Sequence, residues 1–391
     1  MLYLDHNATT PPSAAVVEAV RRSMQEAWGN PSSTHALGEA ARAQLSTARA
    51  AIARLLGARD AREVLCTSGG TEAIQTAILG VWRAQRARGR TTILSTRAEH
   101  AATRRALDTA VQEGARVVWL PVDAHARVDG ASLRAALSHD TALVTLLYAN
   151  NETGTLLAEE PAAVAALSRE VRAAGAVLHL DAVQALGRIP FSVVELEADC
   201  VSVSAHKLHG PKGVGALWLR PTTKELWEPL LAGSQEAGRR GGTENLPGII
   251  GFGVAAEEAR RWLEADGPRA LAAVRAAFEA RILERLPWAR IQATQVARLP
   301  NTSSLTLPGV DAELLLALLD AEGVCISAGS ACNARQRAPS PVLEAMGLSD
   351  LDARCTVRVS FGRHQTVADA QAGADRIAAA ACELKYELTE T

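Results

Sequence analysis

Between about Ser13 and Leu219, short apolar runs alternate with segments of helical periodicity, and no other feature constrains the fold as tightly. Glu63–Thr67, Thr92–Ser95, Arg116–Leu120, Leu143–Tyr148, Val177–Asp181, Cys200–Ser204 and Val214–Leu219 read as strands. Arg42–Leu56, stopped by Gly57, reads as a helix before the first of them, and Thr71–Arg86 as a helix between the first two. Repeated strand–helix alternation predicts an α/β fold: a large, mostly parallel sheet flanked by helices on both faces. Ligands of such sheets gather at the carboxyl ends of the strands. Cys66-Thr67, Asp181 and Ser204 stand at those ends.

The pattern changes after Pro247. A helical stretch from Val254 to Leu286, broken near Gly267-Pro268, leads to a strand (Thr302–Leu307), a helix (Ala312–Glu322), a strand (Thr356–Phe361) and a last helix (Val367–Lys385). This predicts a smaller α+β domain. The expected division is residues 13–250 for the large domain, and 1–12 with 251–391 for the small one. The long irregular stretch, Ala328 to Pro341, is expected to be a mobile loop of the small domain.

Composition excludes several classes of function. With 391 residues and a net charge of −2, the signs interspersed, the chain has no electrostatic case for nucleic acid or an anionic membrane. No apolar run approaches the length that spans a bilayer, and the first residues lack a basic segment followed by an apolar one. The six cysteines (Cys66, Cys200, Cys325, Cys332, Cys355 and Cys382) include no Cys-x-x-Cys pair. That argues for reduced thiols in a cytoplasm and against a zinc site or disulfide framework. Five of them lie in apolar or helical contexts and are expected to pack as small hydrophobes, whereas Cys332 lies on the glycine-containing loop beside polar residues.

The chemistry concentrates on two strand ends. Lys207 follows an apolar strand and precedes a Gly210-Pro211-Lys212-Gly213 turn; Asp181 ends the strand Val177–Leu180. A buried amine and carboxylate so placed suit a cofactor needing a Schiff-base lysine and a counter-charge for a pyridine nitrogen, namely pyridoxal 5′-phosphate (PLP). The bland alternative for Asp181 is a helix N-cap, with Gln184 as the third-position partner of a capping box; toward a cofactor, Gln184 would bond the ring hydroxyl. Thr67-Ser68-Gly69-Gly70-Thr71-Glu72 joins a strand to a helix. Small residues and a helix N-terminus there suit a phosphate, with Gly70 and Thr71 in the turn and Ser204 and His206 as added donors; a plain N-cap is the ordinary alternative. His100 could stack on a flat ring and move protons, or be structural. Asn151, in the turn Asn150–Gly154, sits where it can touch cofactor or substrate. Arg358, inside Thr356–Ser360, suits a substrate carboxylate or an exposed strand face.

Taken in order, Leu4–Pro11, Gly29–Ser33, Thr67–Glu72, Glu99-His100, Asn150–Glu152, Asp181–Gln184, Ser204–Lys207, Gly210–Gly213, Arg240–Asn245, Gly329–Cys332 and Arg358 resemble the cysteine desulfurases of the class-V aminotransferase group. The loop between Cys332 and Leu343 is similar in length to that of the NifS/IscS-like subgroup. The resemblance implies the type I fold of PLP-dependent transferases and these roles. Lys207 is the Schiff-base lysine, Asp181 pairs with the pyridinium, Gln184 bonds the ring oxygen, and His100 stacks and assists proton transfer. Thr71, Ser204 and His206 hold the phosphate, with Thr243 reaching across a homodimer. Arg358 and Asn151 bind the carboxylate of L-cysteine, and Cys332 accepts its sulfur as a persulfide for an iron–sulfur scaffold or a tRNA-thiolation protein. Gly241 stands where many relatives have Ser, Arg335 and Arg337 lie in the loop, and the chain ends soon after its last helix. The alternatives are a selenocysteine lyase or aminotransferase on the same scaffold, and a non-catalytic sulfur-relay subunit.

Overall fold

The computed structural model describes residues 1–329 and 339–390, with side chains to residue 385. Its strands are β1 (Leu2–Tyr3), β2 (Val64–Thr67), β3 (Thr92–Thr96), β4 (Arg116–Leu120), β5 (Thr141–Leu147), β6 (Val177–Asp181), β7 (Cys200–Ser204), β8 (Gly215–Leu219), β9 (Arg290–Ile291), β10 (Thr302–Thr306), β11 (Val324–Cys325), β12 (Ser327–Ala328) and β13 (Thr356–Ser360). Seven of them form one sheet in the order β2-β8-β7-β6-β5-β3-β4. β8 runs antiparallel to both β2 and β7. The other pairings are parallel.

The strands other than β4 read as largely apolar, without a polar face, because both faces of this sheet are covered there. Side chains alternate across it. Val64, Cys66, Leu94, Val144, Leu178 and Val201 enter one core with the helices Ala36–Leu56 and Leu246–Glu264. Leu65, Ile93, Leu143, Val177 and Leu217 enter another with the helices Gly70–Arg86 and Ala101–Gln112.

A third core is separate. Leu271, Phe278, Leu305, Leu315, Val357, Val359 and Ile377 join the helices Gly267–Arg285, Ala312–Ala321 and Val367–Glu390 to an antiparallel sheet of order β12-β13-β10-β9. The N-terminus belongs to this second body: β1 pairs with β11, Asp5 bridges Ser360, and Leu4 lies in its core. After Leu4, residues 5–10 run to the carboxyl edge of the large sheet, where Thr10 N–H donates to the His206 carbonyl at 2.9 Å.

Periodicity started two helices late, and the one read from Arg42 begins at Ala36 with His35 as its cap. The segment read as starting at Val254 begins at Leu246, with Asn245 as its cap accepting from Gly248 N–H at 3.2 Å. Glycines hid the first turns. Gly253 is there for close approach, since a Cβ on it would lie 2.7 Å from the Ala48 Cα of the neighbouring helix.

Candidate active site

Parallel strands bring the ends of β3, β5, β6 and β7 to one edge. Asp181, last residue of β6, is in register with Ser202 on β7. Two residues after Ser202 the strand ends, and a short 3-10 turn, Ala205–Lys207, turns Lys207 back toward that edge. Lys207 Nζ donates to the carbonyls of Asn7 at 2.6 Å and Ala8 at 2.7 Å. Burial, with Arg188 and Arg358 nearby, pushes its ammonium down from 10.5 to about 7, against the pull of Asp5 and Asp181. Asp181 is 2% exposed and accepts from Val183 N–H at 3.0 Å. Burial pushes its carboxyl up to about 6, opposed by that hydrogen bond and by the Lys207 charge.

The alternative of Asp181 as a helix cap fails, and with it the capping-box role of Gln184. No helix follows; residues 182–189 form turns. Gln184 instead donates from Nε2 to the Asn7 carbonyl at 3.0 Å, and its Oε1 accepts from Arg188.

The helix Gly70–Arg86 begins at this edge without a side-chain cap on Gly69. Its first turn therefore offers free backbone N–H groups. Ser204 Oγ is buried and has no partner. The two meet: a Cβ on Gly70 would lie 3.3 Å from Ser204 Cβ and 3.0 Å from Val183 Cγ2, so only glycine brings the helix end this close. Unused N–H groups beside an orphaned hydroxyl suit an anion. Thr71 is exposed in the first turn. His206, its Nδ1 3.1 Å from Thr9 Oγ1, is pushed down to about 4 by burial and so is neutral near pH 7. Thr243 is exposed in a cleft shared with Thr67, Ser68, Arg240 and Asn245.

His100 caps the helix Ala101–Gln112, its Nδ1 accepting from Ala102 N–H at 3.1 Å. That bond leaves the proton of the neutral ring on Nε2. Burial, with Lys207 as the next cause, pushes His100 down to about 4. The residue before it, Glu99, is also buried; its Oε1 accepts from Leu147 N–H at 3.0 Å, and burial raises it to about 8.

Arg358 is 3% exposed, so the exposed-face alternative fails. Its Nη1 donates to the Asn151 carbonyl at 3.1 Å and its Nη2 to Asp5 Oδ1 at 2.8 Å, while Nε and Asn151 Oδ1 are buried without partners. The neighbouring Glu152, buried, accepts from Ser340 Oγ at 2.5 Å, and a Cβ on Gly329 would lie 2.7 Å from its Oε2. Gly329 and Ser340 thus flank one carboxylate, and β12, which leads into Gly329, pairs Ser327 with Arg358. Cys332, with Arg335 and Arg337, lies outside the described residues. Cys382 corrects another expectation: it is exposed on the last helix, on the face turned from the core.

Lys207, Gln184, His206, Asn151 and Arg358 are thus tied together, largely through residues 5–9, with Asp181 and Ser204 at the adjoining strand ends. Asp5, Asn7 and Arg188 carry those ties and were not assigned roles from sequence. Asn7 alone receives Lys207 Nζ and Gln184 Nε2 on its carbonyl and donates from Nδ2 to the Asn151 carbonyl at 3.1 Å. Its signal was weak, a polar run after a two-residue strand.

The family model for class-V aminotransferases matches residues 2–372. The chain belongs to the class-V aminotransferase family. It is 42% identical over 371 residues to a cysteine desulfurase of Gluconacetobacter diazotrophicus, covering 94% of this chain and 90% of that one. It is 41% identical to the cysteine desulfurase NifS of Azotobacter vinelandii, covering 93% and 89%. A solved structure of a NifS-like protein superposes with a TM-score of 0.87 at 32% identity, covering 97% of this chain and 98% of that one. The cofactor of this family is PLP, and the residues present fit it: an orphaned Ser204 hydroxyl, an uncapped helix end at Gly70, and an amine and a carboxylate on adjacent strand ends. No helix among the described residues is long and apolar enough to cross a membrane.

Proposed function

We propose that the protein is a PLP-dependent cysteine desulfurase, a sulfurtransferase that converts L-cysteine to L-alanine and retains the sulfur on Cys332. The observation that carries this reading is Lys207 Nζ, buried and drawn toward neutrality, at the same sheet edge as Asp181 and the unpartnered Ser204 hydroxyl. Residues 13–250 would form the cofactor-holding domain, and residues 1–12 with 251–391 the domain that brings Arg358 and the cysteine loop.

Lys207 would hold the cofactor covalently. Asp181 would keep the ring nitrogen protonated, Gln184 would donate to the ring oxygen, and the Gly70 and Thr71 backbone, Thr71, Ser204 and His206 would hold the phosphate. Thr243 would complete that site from the second subunit of a homodimer. Bound PLP supplies an electron sink for negative charge developing next to the substrate α-carbon. Arg358 and Asn151 would orient the substrate carboxylate. The neutral Lys207 amine is the group suited to take the α-proton, and His100, protonated on Nε2, is suited to donate one.

The Cys332 thiolate would then attack the substrate sulfur. The S–S bond forms as the C–S bond breaks, and the electron pair leaves with the β-carbon, which takes a proton to become the methyl group of alanine. Gly329 and Ser340, on either side of that segment, sit at Glu152, one residue from Asn151, which supports the assignment. The persulfide would pass to an iron–sulfur scaffold or a tRNA-thiolation protein.

The test is to purify the protein, record its visible absorbance, and measure alanine and sulfide from L-cysteine with a reductant. Lys207→Ala should lose the visible band and both products. Cys332→Ala should keep the band and lose sulfide. Full alanine production by Cys332→Ala would instead favour an aminotransferase-like or lyase reaction, and the absence of any band in the parent protein would favour a non-catalytic relay.

A further inference from the structure

Arg188 is a buried cation that the reaction outlined above leaves unused. It is 6% exposed, and among the described residues no carboxylate forms a salt bridge with it. Its donors go to neutral oxygens: Nη1 to the Gln184 backbone carbonyl at 3.0 Å and to Gln184 Oε1, and Nη2 to the His6 carbonyl at 2.9 Å and the Lys207 carbonyl at 3.2 Å. Burying a guanidinium without an anion is costly, and such a group persists where its position does something. Burial, then Arg363 and Arg358, push Arg188 down toward about 9.

Its bond to Gln184 decides an orientation. A guanidinium only donates, so the Gln184 atom facing it must be the amide oxygen, and the NH2 group must point the other way. That NH2 now donates to the Asn7 carbonyl, which also receives Lys207 Nζ. The same arginine ties down residue 6 of the N-terminal segment and the backbone of Lys207 itself. One side chain thus holds three pieces of the site in register.

We propose that Arg188 is a positioning residue that locks the Gln184 amide with its N–H donors turned toward the Lys207 site, so that Gln184 can only donate to the bound cofactor. This rests on the PLP reading of the site. Donation favours the ionised form of the cofactor's ring hydroxyl over the neutral one. The positive charge behind Lys207 acts in the same direction on its amine. The charged and titratable groups facing that amine are Arg188, Arg358, Asp5 and Asp181, with His100 and His206 beside it.

The experiment is a double-mutant cycle read by spectroscopy on the holoenzyme: wild type, Arg188→Met, Gln184→Ala and the double variant. The readout is the pH at which the visible cofactor band changes. Arg188→Met should move that pH by at least one unit in the wild-type background and by much less in Gln184→Ala, because an effect transmitted through Gln184 disappears with it. Equal shifts in both backgrounds, or no shift, overturn the proposal while leaving the PLP reading intact. A wild-type protein that binds no chromophore overturns both. Should Arg188→Met not fold, Arg188→Gln, which is neutral and no longer obliges the Gln184 amide oxygen to face it, carries the same cycle with the same criteria.

Discussion

Arg358 Nη2 stands 2.8 Å from Asp5 Oδ1, with the arginine side chain 4% and the aspartate 17% exposed. The arginine assigned to the substrate carboxylate therefore already holds a carboxylate of its own chain. A substrate must displace Asp5 or share the guanidinium with it, using the unpartnered Nε. Two outcomes are expected from steady-state kinetics with L-cysteine. Arg358→Ala should raise KM by roughly 10- to 100-fold, the value of a charge-assisted hydrogen-bonded pair. Asp5→Asn should lower KM several-fold while lowering the melting temperature, because a buried guanidinium loses its counter-charge.

The loop flanks offer a stability measurement. Ser340 caps the helix Pro341–Ala345, accepting from Val342 N–H at 3.2 Å and Leu343 N–H at 3.4 Å, and donates to the buried Glu152. Ser340→Ala removes the cap and leaves a buried carboxylate oxygen without its donor. Each loss costs about 1 kcal/mol or more, so the denaturant midpoint should fall by the equivalent of about 2–3 kcal/mol. Ser340→Thr keeps the hydroxyl and should recover most of it.

The large sheet was legible because its strands other than the half-exposed edge strand β4 are buried on both faces, so they read as largely apolar runs. Lys207, Asp181 and Ser204 were legible for a related reason: polar residues at the end of such a run are exceptional. What was not legible depends on contacts between distant segments. The two-residue strands β1, β9, β11 and β12 are too short for any periodicity. Asp5 and Asn7 act from more than 140 residues away, on Asn151, Lys207 and Arg358, and their composition reads as a turn. Arg188 reads as an ordinary surface cation until the fold buries it. His100 has the structural place the sequence allowed, a helix cap through Nδ1, and it also lies close enough for Lys207 to shift it.

The amine and the carboxylate make opposite contributions to stability with pH. Lys207 is lowered from 10.5 to about 7, so between those values the unfolded chain holds the proton and the apoenzyme does not. Stability from this group rises with pH across that window, and its penalty is fully present below about pH 7. Asp181 is raised from 3.8 to about 6, so the folded chain holds the extra proton in that window, and stability from it falls as pH rises from 3.8 to 6. Denaturant titrations of the apoenzyme at pH 7, 8 and 9 should show the rise, and Lys207→Met should flatten it. Since only the neutral amine is nucleophilic, the rate of PLP uptake should increase through about pH 7.

Ser204 separates stability from cofactor retention. Its hydroxyl is buried without a partner, so in the apoenzyme it carries a desolvation cost with no hydrogen bond to offset it. Ser204→Ala removes the polar atom and keeps the Cβ that packs against Gly70. The apoenzyme should be as stable as the parent, or more stable by up to about 1 kcal/mol in a thermal or denaturant melt. The holoenzyme should lose cofactor more readily, with PLP affinity down by about tenfold for one missing hydrogen bond to a charged group. A variant less stable than the parent in the apo form would mean that the hydroxyl has a structural partner and does not wait for the phosphate. A parallel Gly70→Ala variant should weaken both states, since its Cβ would press on Val183 and Ser204 whether or not an anion is bound.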